Sequence, residues 1–222
     1  SRCRWAAGTA DMAVTMRPAR PDDYRPDGPR SPGVISPGSS AHLRSDYAPP
    51  MTALDEAMAA IDTWGADHAA AAVLAPSGVL ATRGERQRVF RWASVTKMAT
   101  ALAVLVQADR EVIALDEPAG PPGATVRHLL AHASGLPFEG MMPIAAPGTR
   151  RIYSNGGFDT LGALVADRAG RRFEAVLGEL VLEPLGMRST TLRERPSQGL
   201  HGPLDDLVAL ARELMTPTLL HP

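Results

Sequence analysis

The chain has 222 residues, 45% of them hydrophobic and 21% charged, with a formal net charge of -1. That length suits one large domain or one domain with a tail, and the even charge balance argues against nucleic acid or a membrane surface as partner. A single cysteine, Cys3, excludes an internal disulfide framework and a Cys-rich metal site.

The first fifty residues hold eight of the 20 prolines and seven arginines, and no apolar periodicity survives in them. Such a segment cannot bury enough surface to offset its ordering entropy, so residues 1–50 read as a disordered tail or upstream extension. They lack the continuous apolar run of a secretory signal, and no stretch of the chain reaches the ~18 apolar residues of a membrane span. The expectation is a soluble, cytoplasmic protein whose globular domain covers residues 51–222.

From Met51 the pattern is globular. Leu54, Met58 and Ile61 recur at helical spacing, which predicts a helix over 52–64 closed by Gly65. Residues 69–75 and 79–82 flank Pro76-Ser77-Gly78 and predict a hairpin, although alanine is a poor strand former. Residues 94–108 predict a helix apolar over nearly its whole circumference, from Val95 and Met98 to Val106, which places it at the centre of a domain. Further helices are predicted over 126–132, 157–168 with Gly170 as its stop, 173–181 and 204–215. Strands at the start and helices after them suggest an α+β arrangement.

Residue types give the sharpest chemical clue. Of 23 basic residues only Lys97 is lysine. Arginine stays protonated, whereas an amine at the mouth of an apolar helix meets desolvation and the helix dipole, and both favour the neutral base. Ser94 stands three residues earlier, one turn away on the same helix face. The helix start also offers backbone N–H groups to a developing oxyanion. Ser94 and Lys97 are therefore candidate nucleophile and proton acceptor. An N-capping serine followed by a surface lysine is the bland alternative. A second cluster favours the chemical reading. Asn155 is the only asparagine, and Tyr153, two residues before it, is the only tyrosine after the first fifty residues. The phenol can relay a proton, and the carboxamide can hold a substrate carbonyl or the lysine. His128 and His132 are four apart but enclose no carboxylate, so a structural turn is favoured over a metal site.

Ser-x-x-Lys followed by Tyr-x-Asn resembles the serine β-lactamase and penicillin-binding protein family, in its class C-type branch of β-lactamases, D,D-peptidases and esterases. The resemblance rests also on Leu115-Asp116-Glu117-Pro118, on residues 126–137 ending Ser134-Gly135-Leu136-Pro137, on Pro147-Gly148-Thr149 and on residues 183–187. It covers about three quarters of the chain. It implies a β-lactamase/transpeptidase-like α+β fold, with an antiparallel sheet flanked by helices and a helical subdomain. It implies an acyl-enzyme on Ser94, with Lys97 and Tyr153 sharing the proton work and Asn155 contacting the substrate amide and Lys97. The substrate would be a small-molecule or peptide-like acyl compound, and no metal or cofactor is called for. The His132-Ser134-Gly135 segment is expected to pack beneath the site.

The family's third motif, Lys-Thr-Gly or His-x-Gly on a cleft-lining strand, has only His201-Gly202 as a candidate, and no strand pattern is evident around it. The expectation is a C-terminally incomplete copy, with the C-terminal strands of the sheet missing. Two other readings stand beside the hydrolase: a non-catalytic relative that binds acyl ligands or a partner protein, and a structural domain whose sheet edge pairs with another chain.

Overall fold

A computed structural model describes residues 51–221. The tail reading of residues 1–50, and Cys3 with it, lies outside the described residues. The helices are α1 (Met51–Ala59), α2 (Thr96–Asp109), α3 (Val126–Leu130), α4 (Asn155–Ala169), α5 (Phe173–Leu177) and α6 (Leu204–Met215). The strands are β1 (Ala70–Ala75), β2 (Gly78–Gly84), β3 (Phe90–Arg91), β4 (Thr191–Leu192) and β5 (Leu200–Gly202). None of the described helices is long and apolar enough to cross a membrane.

The apolar run after Ser94 sets the centre. Ala99, Ala103 and Val104 of α2 have no exposed surface, and α2 packs on α4, on α5 and on the turn after α5. The small side chains of Ala99 and Ala103 add little bulk at the middle of this core, where close packing rewards every contact. From α4, Leu161 and Val165 are fully buried, as the 3.6-residue spacing predicts. Met98 departs from the expected all-round burial and is 48% exposed.

Helix ends follow local chemistry. Ser154 caps α4 by accepting a hydrogen bond from the Gly157 N–H at 3.1 Å, so the helix starts at Asn155, two residues before the sequence reading. The predicted helix 126–132 stops at Leu130 because His132 adopts a left-handed backbone with φ 57°. The predicted helix 173–181 is α-helical only to Leu177. It then widens into a π-type turn, Gly178–Leu182, where the Glu183 N–H reaches the Gly178 carbonyl at 2.9 Å.

The sheets are small and antiparallel. β1 and β2 form the predicted hairpin, with a bulge between Val73 and Leu74. A two-stranded hairpin is marginal by itself. Here α1 packs against β2 and α6 against β1, and the alanine-rich strand keeps every residue half-buried. The second sheet has the order β3–β5–β4. This corrects the reading of His201-Gly202, since both residues lie on β5, its middle strand. Strands of two or three residues are too short to show an alternating pattern, which is why the sequence concealed them. The expected α+β class holds.

Candidate active site

The site is assembled where α2 begins. Trp92 is buried and doubly tied to β5: its backbone N–H donates to the Leu200 carbonyl and its indole N–H to the Gly202 carbonyl, both at 2.9 Å. Thr96 Oγ1 accepts from the Leu200 N–H at 3.0 Å. Between these anchors the chain makes a tight turn, Ala93–Val95, in which Ala93 has φ 45°. A non-glycine residue in that region costs of order 1–3 kcal/mol, so the surrounding anchors hold a strained turn. The turn leaves Ser94 exposed while Lys97, one turn on, is 5% exposed.

An ammonium has three donors and no acceptor. Lys97 Nζ has three oxygen partners: Asn155 Oδ1 at 2.6 Å, the Ser197 carbonyl at 2.8 Å and Ser94 Oγ at 3.4 Å. It also lies 4.7 Å from the centre of the Tyr153 ring and 5.7 Å from that of Phe158. A buried charge is tolerated only when hydrogen-bonded in this way. The four residues singled out in the sequence, Ser94, Lys97, Tyr153 and Asn155, are thus brought together. Tyr153 offers Lys97 the face of its ring.

The segment Tyr153-Ser154-Asn155 is pinned from below by His132. The Ile152 N–H donates to the His132 carbonyl at 2.7 Å, and the Ser154 N–H donates to His132 Nδ1 at 3.1 Å. The imidazole stacks on Tyr153 with ring centres 4.5 Å apart, and Phe138 lies 6.0 Å from Tyr153. Burial first, then the nearby charges of Arg151 and Lys97, lowers the His132 pKa from its ordinary 6.5 to about 4. The ring is therefore neutral near pH 7, as its role as acceptor requires. His128 instead caps α3, its Nδ1 accepting from the Thr125 N–H at 3.2 Å.

The outer half of this network carries no signal in the sequence. Glu139 Oε1 accepts from Asn155 Nδ2 at 2.6 Å, and Arg195 Nη2 donates to both Glu139 oxygens at 3.1 Å. Arg195 also approaches Asp159 at 3.4 Å, and Asp159 accepts from the Ser197 N–H at 3.1 Å. The contacts close a ring from Lys97 through Asn155, Glu139, Arg195, Asp159 and Ser197 back to Lys97. The Asn155 hydrogen bond, then the Arg195 pairing, holds the Glu139 carboxyl below its ordinary range. The loop carrying Arg195 and Ser197 sits directly on α4, because a Cβ at Gly162 would fall 2.3 Å from Pro196 Cγ. Likewise a Cβ at Gly156 would fall 2.6 Å from the Gly140 carbonyl, so only glycine lets the Glu139 loop close on Asn155. Glu139 lies two residues past Pro137, and no spacing rule links it to Arg195, 56 residues away.

With this geometry in view, comparison with known proteins gives a consistent answer. Residues 55–202 match the family model described as Beta-lactamase, and the chain belongs to the β-lactamase family. Among curated proteins, it is 29% identical over 153 residues to the D-alanyl-D-alanine-carboxypeptidase/endopeptidase AmpH of Escherichia coli (strain K12), covering 52% of this chain and 40% of that protein. It is 32% identical over 147 residues to esterase EstB of Burkholderia gladioli, covering 45% of this chain and 37% of that protein. The chain thus spans about 40% of the length of AmpH. Among solved structures, a β-lactamase from Mycobacterium bovis superposes with a TM-score of 0.72 at 46% identity, covering 74% of this chain and 62% of that one. The octameric penicillin-binding protein homologue of Pyrococcus abyssi shares the fold, with a TM-score of 0.61 at 18% identity over 77% of this chain and 57% of that one. The fold is that of β-lactamases and penicillin-binding proteins.

Proposed function

We propose that the chain is a serine hydrolase that passes an acyl group from an amide or ester to Ser94 and then to water. The observation that carries this reading is the three-point hold on Lys97 Nζ by Asn155 Oδ1, the Ser197 carbonyl and Ser94 Oγ. When Lys97 is neutral, two N–H groups remain on the two carbonyls and the lone pair is left facing Ser94 Oγ. That is the geometry a general base needs. The Ser94 proton moves to Lys97 as Oγ bonds to the substrate carbonyl carbon. The positive end of the α2 dipole favours the negative charge on the carbonyl oxygen. The C–N or C–O bond then breaks, and the leaving group takes the proton from Lys97. Water then attacks the acyl carbon by the same route, its proton going to Lys97; the bond from Ser94 Oγ to the acyl carbon breaks, the acid leaves, and Oγ takes the proton back from Lys97. Tyr153, partly exposed beside Lys97, shares the proton work, as the family resemblance implies. Asn155 contacts the substrate amide while holding Lys97.

The names of the relatives point to three acyl donors: D-alanyl peptides, simple esters and β-lactams. Incubation with nitrocefin, a fluorescent penicillin and p-nitrophenyl butyrate tests the proposal. Turnover or covalent labelling by at least one, lost in Ser94→Ala, is expected. An unmodified Ser94 with all three would favour the non-catalytic binding reading instead.

A further inference from the structure

We propose that Glu139 is a positioning residue that fixes which end of the Asn155 amide faces Lys97, with Arg195 holding Glu139 in place. The inference rests on the reading of Ser94 as acyl acceptor and Lys97 as its base. The oxygen and nitrogen ends of a carboxamide are nearly equal in size, so its orientation is set by its partners. A charged Lys97 can only donate and therefore selects Oδ1. Once Lys97 is neutral, that selection disappears. A flipped amide would then present its NH2 to the amine lone pair and compete with the Ser94 hydroxyl for it.

Glu139 selects from the other side. An ionised carboxylate only accepts, so the 2.6 Å contact from Nδ2 to Oε1 keeps the NH2 end outward whatever the state of Lys97. The charged groups facing Glu139 are Arg195 and Lys97, with Asp159 behind Arg195. Both cations and the Asn155 bond favour the ionised carboxyl, so the discrimination persists across the range in which an amine can act as base. Arg195 places both Glu139 oxygens with a single nitrogen, at 3.1 Å each. Its side chain is 45% exposed, which makes it the weaker of the two contacts.

Asn155 is the only asparagine in the chain. Protein labelled with 15N-asparagine therefore gives one side-chain NH2 pair, and that pair reports the contact directly. The spectrum of the full chain is recorded from about pH 3 to about pH 9, beside steady-state hydrolysis of p-nitrophenyl butyrate. One proton of the pair is expected downfield in the wild type, losing its shift only as the pH falls below the usual carboxylate range. Glu139→Ala abolishes the shift and lowers kcat about 10- to 100-fold, with KM changed less than about twofold. Glu139→Gln, which keeps a neutral acceptor of the same shape, recovers part of kcat. Arg195→Ala gives a smaller loss of both. A resonance unchanged in Glu139→Ala overturns the inference, whatever happens to kcat. So does a lost resonance shift with kcat intact. If the wild type hydrolyses nothing, the Ser94 reading fails, while the resonance still decides whether Glu139 orients the amide.

Discussion

The α2–α4 seam and the β1–β2 hairpin are held on different terms. Along the seam Ala99, Ala103, Leu161 and Val165 have no exposed surface, and the buried polar groups Lys97, His132, Ser154 and Asn155 gather at its open end. In the hairpin every β1 residue is only half-buried, and helices α1 and α6 supply its cover. Buried polar groups need fixed partners, since an unpaired one costs about 1–3 kcal/mol. A seam of close-packed helices provides that fixity, and a thinly covered hairpin cannot. The candidate site therefore sits where close packing holds its buried polar partners in place.

The sharpest way to break this contrast is at Lys97. Lys97→Met keeps the apolar stem beside Phe158 but removes every donor to Asn155, Ser197 and Ser94. Acylation of Ser94 should fall about 10²- to 10⁴-fold, read as the rate of labelling by a fluorophosphonate. Next comes Gly162→Val, which drives a side chain into Pro196. It should destabilise by about 1–3 kcal/mol in urea titration and lower activity too, because the same loop carries the Ser197 carbonyl. On the hairpin, Val79→Thr at a position 45% exposed should change stability by less than about 0.5 kcal/mol and leave acylation unaltered. A large activity loss there would erase the distinction between the two regions.

The buried histidine adds a pH test. The His132 pKa is depressed from 6.5 to about 4, so the unfolded chain binds a proton that the folded one excludes between those values. The stability contributed by the neutral ring is complete above about pH 6.5 and is lost as the pH falls towards 4. The urea midpoint should decline over that window. His132→Gln should flatten the decline while keeping a side chain able to accept from the Ser154 N–H.

How much could be read in advance follows from the length scale of each feature. The meeting of Lys97, Tyr153 and Asn155 beside Ser94 was legible because the chain's one lysine, its one asparagine and the one tyrosine after residue 50 fall at short spacings, Lys97 three residues after Ser94 and Tyr153 two before Asn155. The helices of α2 and α4 were legible because their apolar positions repeat over three or four turns. Glu139, Arg195 and the Ser197 carbonyl were not, because their contacts join segments far apart in the chain and involve a backbone atom. The left-handed turn at His132 and the short strand at His201-Gly202 escaped for a related reason. Both are imposed by neighbours, the first by the Ser154 and Ile152 contacts and the second by pairing with β3 and β4.

Peptide-mapped mass spectrometry after reaction with a fluorophosphonate tests Ser94 as the nucleophile most directly. A single adduct on Ser94 is expected, absent from Ser94→Ala and strongly slowed in Lys97→Met. An adduct on another serine, or labelling of Ser94 at the same rate without Lys97, would contradict it.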